Sequence, residues 1–186
     1  MELGGGSGYY SKKFLSSVST RHYTFVEPSI DMLELAKKRL PRYVDIIDKD
    51  ALSALNQIEK RQDMFIFQRS LYSFYGTTNE YRPLLKIMYE KSNDNAVVAV
   101  SEMVSQYDLK QLYDYFYVNR SLLGLDNDED FARDWQILKD VLEEYNYNVK
   151  NGIFTHFYLE NIKPLFESEG FELIENFETN FYFRRS

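Results

Sequence analysis

The chain of 186 residues contains no cysteine. Disulfide bonds, a thiolate nucleophile and cysteine-ligated zinc are therefore excluded. The two histidines, His22 and His156, give no metal-ligand spacing, so we predict no metal. No apolar run is long enough to span a bilayer, and no basic region followed by an apolar run opens the sequence. We therefore expect a cytoplasmic protein with neither a signal peptide nor a membrane partner.

Positively charged residues are also fewer than negatively charged ones. Lysine and arginine total 22 against 29 acidic residues, which gives a formal net charge of −7. Because an acidic surface repels phosphate backbones, we expect no nucleic acid partner. The length suggests one domain with a sizeable core, and 16 tyrosines with 14 phenylalanines can fill that core and also line a pocket.

Short apolar segments alternate with helical patterns through the first half of the chain. Strands are predicted at His22–Glu27, Tyr43–Asp48, Asp63–Gln68 and Asn95–Met103. Ser29 and Asp50 stand where helix caps are expected. This alternation predicts an α/β domain, with a mostly parallel sheet that has helices on both faces.

The second half has a different pattern. A helical insert from about Ser105 to Thr155 follows the fifth strand. One more helix is then predicted, and the segments "FELIENFE" and "FYFRRS" read as an antiparallel hairpin around Thr179–Asn180. We expect a single domain.

Glycine is scarce, yet four of the eight glycines stand at positions 4, 5, 6 and 8. Such a turn between a strand and a helix lets backbone approach a ligand closely. A P-loop is excluded because Tyr9, Tyr10 and Ser11 follow the last of these glycines instead of Lys-Ser/Thr. A dinucleotide fingerprint would place Tyr9 at its third glycine, so an NAD(P)-dependent oxidoreductase is a less favoured alternative.

An E-x-G-x-G-x-G pattern matches the loop at every position, from Glu2 to Gly8. Glu27 ends the next strand, Asp50 follows the third, and "DMFIFQRSLYSF" spans the fourth. Together these segments resemble motifs I to IV of the class I, Rossmann-like S-adenosylmethionine-dependent methyltransferases, in particular the small-molecule branch. Only Met1–Leu3 stand for the first strand, so the usual N-terminal region of that family is expected to be lacking and the strand truncated.

The resemblance implies a three-layer fold with strand order 3-2-1-4-5-7-6 and one methyltransferase-like domain. Residues 1–104 would form the cofactor-binding half, 105–155 a helical lid, and 156–186 the closing helix and hairpin. It implies S-adenosylmethionine as cofactor and S-adenosylhomocysteine as product, with Glu27 on the ribose and Asp50 near the adenine. The implied cofactor-binding residues are Glu2, Gly4, Gly5, Gly6, Gly8, Glu27, Pro28, Ser29, Met32, Asp50, Ala51, Gln68 and Arg69.

The acceptor is expected to be a small molecule. The segment after strand four, from Gln68 to Leu71, lacks the Asp/Asn-Pro-Pro motif of amino-methylating DNA enzymes. Ligands of open α/β sheets lie beyond the carboxyl ends of the strands. Substrate contacts are therefore predicted at Tyr72, Tyr75, Glu102 and His156, and the candidate catalytic residues are Tyr72 and His156. Core packing and capping are the alternative roles for these side chains, and a non-catalytic or truncated methyltransferase-like binding protein is the alternative function.

Overall fold

The computed structural model describes residues 1–74, 78–102, 107–123, 127–177 and 180–186. Seven strands form one sheet within these ranges. The strands are β1 (Glu2–Leu3), β2 (Thr24–Val26), β3 (Asp45–Ile47), β4 (Gln62–Gln68), β5 (Ser92–Ser101), β6 (Phe171–Phe177) and β7 (Asn180–Arg185).

The order across the sheet is β3-β2-β1-β4-β5-β7-β6, which confirms the predicted order. Neighbouring strands from β3 to β5 run parallel, whereas β7 is antiparallel to both β5 and β6. The predicted C-terminal hairpin is therefore present at the sheet edge, although Thr179 of its turn lies outside the described residues. The two residues of β1 lie between β2 and β4, with Glu2 opposite Phe25 on one side and Ile66 on the other.

Seven α-helices accompany the sheet in the described ranges. They are α1 (Tyr9–Ser17), α2 (Ile30–Arg39), α3 (Ala51–Gln57), α4 (Arg82–Glu90), α5 (Leu109–Val118), α6 (Asp128–Lys150) and α7 (Leu159–Glu167). The predicted caps are confirmed: the Ser29 side chain accepts from the Met32 amide, and the Asp50 side chain accepts from the Ser53 amide. Each cap satisfies an amide that the first helical turn leaves without an intrahelical partner.

Apolar side chains are buried on both faces of the sheet. The larger core contains Phe65, Phe67 and Val98 of the sheet with residues of α3, α4 and α7. The smaller core surrounds Phe25 and is formed with residues of α1 and α2. Burial of one large apolar side chain contributes about 1.5–3 kcal/mol to the free energy of unfolding. The two cores therefore stabilise the sheet whose carboxyl edge carries β1 to β4.

The observed boundaries differ from the predicted ones mainly at strand ends. β2 and β3 are shorter than the apolar segments that predicted them, whereas β5 begins at Ser92, three residues early. The pairing of β5 with β4 shifts register between Gln62 and Met64, and Asn95 takes a φ of 63° there. This bulge accommodates the extra residues of β5. No helix in the described ranges is long and apolar enough to cross a membrane.

Candidate functional site

The glycine loop lies over the carboxyl end of β2. The amides of Gly4 and Gly5 both donate to the carbonyl of Val26, at 2.9 and 3.0 Å. A Cβ on Gly5 would stand 2.0 Å from the buried ring of Phe25, so no larger residue fits there. Gly4 has a φ of +72°, a conformation that L side chains rarely adopt. Closeness to β2 therefore requires glycine at position 5, and backbone conformation favours it at position 4.

Glu27 directly follows β2 and fastens the loop. This carboxylate is buried; its Oε2 accepts from the Gly6 amide at 2.8 Å and its Oε1 accepts from the Ser29 amide at 2.9 Å. One side chain thereby joins the loop after β1 to the beginning of α2. Since a carboxylate offers about four acceptor positions, both oxygens keep capacity for a ligand.

A cavity of about 690 Å³ opens beside Glu27 at the carboxyl ends of β1 to β4. Its volume lies within the range of small-molecule and cofactor sites. The predicted cofactor residues that line it are Gly4, Gly6, Glu27, Pro28, Met32, Asp50, Ala51 and Arg69. The structure thus brings together eight residues that are spread over 66 positions of the sequence, from 4 to 69.

The other predicted cofactor residues support this cavity without lining it. Gly5 lies against Phe25, and Gly8 is the N-cap of α1, where a Cβ would meet Leu40 at 3.2 Å and Ala36 at 3.3 Å. The Ser29 side chain caps α2, and Nε2 of the Gln68 side chain donates to Ser101 Oγ at 3.4 Å.

Glu2 does not line this cavity. Its side chain is 1% exposed, and its Oε2 accepts from the hydroxyls of Ser11 and Tyr23. Burial raises the pKa of the Glu2 carboxyl, and the two hydroxyl donors act in the opposite direction. These contacts connect β1 with α1 and with the residue that precedes β2.

Asp50 combines capping with a place at the cavity wall. Its Oδ1 accepts from the Ser53 amide at 2.9 Å and its Oδ2 from the Ser53 hydroxyl at 2.6 Å. The hydroxyl bond, followed by the amide bond, lowers the pKa of the carboxyl. Asp50 is therefore an ionised acceptor at neutral pH, on the side of the cavity formed by the beginning of α3.

Arg69 stands at the opposite end of the cavity, just after β4. Its backbone has a φ of 53°, and its amide donates to the carbonyl of Ser101 at 2.6 Å. The guanidinium lies 5.9 Å from the centre of the Tyr10 ring. Among the described residues this exposed guanidinium makes no ion pair, so its charge is available to an anionic ligand group.

The predicted acceptor residues lie next to Arg69, at the carboxyl ends of β4 and β5. The Tyr72 ring packs edge-on against Phe154 and Tyr145, with centroids 4.9 and 5.5 Å apart. Glu102 is 3% exposed, and its Oε1 accepts from the Leu71 amide at 2.8 Å. His156 lies in the segment before α7, within contact of Tyr145. Tyr75, the remaining predicted residue, lies outside the described residues.

Several residues of the site were not predicted. The cavity is also lined by Leu52, Ser70, Ser73 and Phe74. Ser70, Ser73 and Phe74 fall inside the segment "DMFIFQRSLYSF", which resembles the fourth motif, so that segment already pointed to them. Tyr145 and Tyr107 were not among the predicted residues, and nothing in the sequence near Tyr107 indicates that it packs on Tyr145, with ring centroids 5.4 Å apart.

A second cavity, of about 580 Å³, lies at the opposite, amino-terminal ends of the strands. Residues such as Met1, His22 and Lys60 line it, and none of the glycine loop does. In open α/β sheets ligands bind outside the carboxyl ends of the strands, so we assign the functional site to the cavity at Glu27. The described residues contain no group of three or more side chains arranged to hold a metal ion.

No protein-family model matches this sequence, and no curated protein matches it either. Solved structures do match it throughout its length. The SAM-bound CalS10, an amino pentose methyltransferase from Micromonospora echinaspora, is 13% identical with a TM-score of 0.61, covering all of this chain and 82% of CalS10. The N-methyltransferase NodS from Bradyrhizobium japonicum WM9 is 11% identical with a TM-score of 0.57, covering 99% of this chain and 83% of NodS.

A third match is the magnesium protoporphyrin IX methyltransferase ChlM from Synechocystis PCC 6803, with bound SAH. It is 12% identical with a TM-score of 0.56, and the match covers all of this chain and 73% of ChlM. The chain therefore has the Rossmann-like fold of these methyltransferases, and the resemblance stated from the sequence is confirmed at the level of the fold.

Proposed function

We propose that this chain is an S-adenosylmethionine-dependent methyltransferase that acts on a small-molecule acceptor and releases S-adenosylhomocysteine. The observation that carries this proposal is the placement of Glu27. Its carboxylate ends β2, holds the glycine loop through the Gly6 amide and lines a cavity of about 690 Å³. The fold, which it shares with SAM-bound and SAH-bound methyltransferases, supports the same function.

The residues of the cavity fit an adenosine. Glu27 can accept hydrogen bonds from both ribose hydroxyls while it keeps its bonds to Gly6 and Ser29. Met32, Leu52 and Phe74 offer apolar surface for an adenine ring. Asp50, on the same wall, is placed to accept from the exocyclic amino group of that ring.

The glycine loop suits a cofactor without phosphates. The amides of Gly4 and Gly5 bond to Val26, that of Gly6 to Glu27, and that of Gly8 to the Gly5 carbonyl at 3.2 Å. All four glycine amides are thus engaged within the protein, and a carboxylate lies against the loop. These amides are therefore not available to donate to a diphosphate, and the negative charge of Glu27 would repel one. This arrangement favours S-adenosylmethionine over a nicotinamide dinucleotide.

Arg69 completes the fit at the other end of the cavity, where we assign it to the carboxylate of the methionine moiety. When bound, S-adenosylmethionine supplies an electrophilic methyl group. The chain's own contribution is to orient donor and acceptor and to exclude water.

We assign residues 1–104 to cofactor binding, 105–155 to covering the acceptor, and 156–186 to closing the sheet. Small-molecule acceptors are consistent with the amino pentose and porphyrin methyltransferases among the structural neighbours.

Calorimetric titration with S-adenosylmethionine, S-adenosylhomocysteine and NADH tests this function. We expect both sulfur nucleosides to bind with one-to-one stoichiometry and NADH not to bind. NADH binding alone would overturn the proposal in favour of an oxidoreductase. Binding of the nucleosides without methyl transfer to any of a broad panel of acceptors would favour a non-catalytic binding protein.

A further inference from the structure

Four aromatic side chains meet at the carboxyl ends of β4 and β5. We call them the aromatic cluster: Tyr72, Tyr107, Tyr145 and Phe154. Neighbouring ring centroids in the cluster lie 4.9 to 5.9 Å apart, mostly in edge-to-face or tilted arrangements. Tyr72 follows β4, Tyr107 precedes α5, Tyr145 lies in α6 and Phe154 follows α6. The cluster therefore joins the sheet to the helical insert.

Backbone hydrogen bonds hold these segments in place. The Thr155 amide donates to the Tyr72 carbonyl at 2.9 Å. The Asn146 side chain accepts from the Tyr107 amide at 2.7 Å and donates to the Tyr107 carbonyl at 2.9 Å. Tyr72, Tyr107 and Phe154 remain only partly buried, so the cluster keeps ring surface available to a ligand.

The aromatic cluster lies next to the cofactor cavity, because Tyr72 directly precedes Ser73 and Phe74, which line that cavity. Arg69 lines that cavity, and its positive charge also reaches Tyr72 and Tyr107, where it favours the ionised phenol. Burial outweighs that charge and raises the pKa of both phenols. A ligand in contact with the cluster would thus be adjacent to one that occupies the cavity.

Negative charge comes to the cluster from Glu102, at the end of β5. The carboxylate is buried, and its Oε1 is fixed by the Leu71 amide. Burial first, and then the charge of Glu102, raise the pKa of Tyr72. The pKa of Tyr145 is raised by burial and then by its ionisable neighbours, Glu102 among them. Both phenols are therefore neutral at physiological pH and cannot act as phenolate bases.

A chain of polar groups leads from the cluster to the surface. The Tyr145 hydroxyl lies 3.4 Å from His156 Nε2, and the Tyr158 hydroxyl lies 3.0 Å from His156 Nδ1. Exposure increases along this chain, from 4% at Tyr145 to 50% at Tyr158. A neutral imidazole donates from one nitrogen and accepts at the other, so it can pass a proton between two hydroxyls.

The surroundings of His156 favour the neutral imidazole. Burial lowers the pKa of His156. Among the residues that the structure describes, the titratable groups in contact with its ring are Tyr145, from α6, and Tyr158, from its own segment. From α7, Asn161 donates to the His156 carbonyl at 2.6 Å and adds no charge.

On the basis of the proposed function, we propose that the methyl acceptor is a primary or secondary amine held by Glu102 and the aromatic cluster, and that its proton leaves through Tyr145, His156 and Tyr158. A carboxylate beside tyrosine faces attracts an ammonium group. The same negative charge disfavours an acceptor that must become an oxyanion before it reacts. An amine therefore fits this site better than an alcohol or phenol.

The reaction balances with an amine. The ammonium first gives one proton to the Tyr145 oxygen as the Tyr145 hydroxyl passes its own proton to His156 Nε2. His156 gives the proton on Nδ1 to the Tyr158 oxygen, and the Tyr158 hydroxyl releases its proton to solvent. The neutral nitrogen then uses its lone pair to form the new N–C bond as the C–S bond breaks and its electron pair stays on sulfur. The methylated ammonium leaves with the positive charge that the sulfonium has lost. No oxidant, reductant or metal is required.

Binding measurements test the choice of acceptor without turnover. The chain saturated with S-adenosylhomocysteine would be titrated with benzylamine against benzyl alcohol, and with cyclohexylamine against cyclohexanol. We expect the amine of a pair to bind about tenfold more tightly at neutral pH, because a charge-assisted contact is lost in the alcohol. Glu102→Gln should abolish this difference, since glutamine keeps an acceptor for the Leu71 amide and removes the charge.

The outcomes separate this inference from the proposed function. If S-adenosylhomocysteine does not bind, the proposed function and the amine assignment both fail. If it binds but the alcohols bind as tightly as the amines, or neither class binds, only the amine assignment is overturned. An amine preference that survives in Glu102→Gln would also overturn it.

Tyr158→Phe tests the proton path. With an amine as methyl acceptor, we expect this variant to lower kcat by about tenfold and to leave KM unchanged. In the wild-type protein kcat should fall as pH decreases through the lowered pKa of His156, which lies below the ordinary 6.5, because protonation of His156 blocks the path. That dependence should weaken in Tyr158→Phe.

Tyr147→Phe is the matched control, because Tyr147 is another exposed tyrosine, on α6, outside the chain of contacts. It should keep the wild-type kcat and pH profile. Equal kcat values and identical pH profiles for Tyr158→Phe and the wild-type protein would overturn the assignment of the path.

Discussion

Replacing Glu27 with glutamine tests the link between the glycine loop and ligand binding. In the wild-type protein, Glu27 Oε2 accepts from the Gly6 amide at 2.8 Å and Oε1 accepts from the Ser29 amide at 2.9 Å. Glutamine retains one oxygen, so one of these buried amides faces an NH₂ group and loses its acceptor. Loss of one hydrogen bond to a charged group lowers the free energy of unfolding by about 1.5–3 kcal/mol.

The same change should weaken ligand binding. A glutamine side chain has a single acceptor oxygen left for the two ribose hydroxyls, so the affinity for S-adenosylhomocysteine should fall by about 10- to 100-fold. Urea denaturation gives the free energy of unfolding, and calorimetry gives the affinity. Glu34→Gln, at an exposed position of α2, is the matched control and should change stability by less than about 0.5 kcal/mol. The reasoning is refuted if Glu27→Gln is as stable as that control and binds equally well.

Three further changes test other parts of the account. Gly5→Ala would place a Cβ 2.0 Å from the Phe25 ring, so we expect a loss of about 3 kcal/mol or more in urea denaturation, or no folded protein. Glu2→Gln keeps an acceptor for Tyr23 and removes a carboxyl whose pKa burial raises. In the wild-type protein, ionisation of Glu2 opposes folding as pH rises from 4.5 through the raised pKa. The free energy of unfolding of Glu2→Gln should therefore increase relative to the wild-type protein across that pH range. A difference in stability that stays constant between acidic and neutral pH would contradict this. Asp50→Ala removes the cap of α3 and should lower stability by about 1 kcal/mol at pH 7. Because the pKa of Asp50 is lowered in the folded protein, the stabilisation by its carboxylate is present above pH 3.8 and is lost as pH falls through that lowered pKa. Urea denaturation at pH 7 and pH 3 would show the stability difference between Asp50→Ala and the wild-type protein becoming smaller at the lower pH.

The resemblance to the class I methyltransferases supplied the strand order, and local patterns supplied the parallel α/β class. Apolar segments alternate with capped helices, and parallel strands joined by right-handed crossovers leave few arrangements open. The caps at Ser29 and Asp50 were also found from local sequence. Strand ends were less accurate: within the apolar segment His22–Glu27 only Thr24–Val26 are strand residues, and the side chain of Glu27, which follows them, bonds with Gly6 and Ser29.

Contacts between distant segments account for most of what the sequence did not reveal. Glu2 matches the acidic position of a cofactor motif, yet its carboxylate is buried against Ser11 and Tyr23, a contact that depends on how α1 folds back on the sheet. The packing of Tyr72 on Tyr145 joins residues more than seventy positions apart, and no periodicity within either segment indicates it.

A crystal structure of the chain grown with S-adenosylhomocysteine would test the central claim most directly. We expect the nucleoside in the cavity at the carboxyl ends of β1 to β4, with both ribose hydroxyls donating to Glu27. The adenine should lie between Met32 and Leu52, and the carboxylate should lie at Arg69. A nucleoside bound in the cavity at the amino-terminal ends of the strands, or bound without contact to Glu27, would contradict the account.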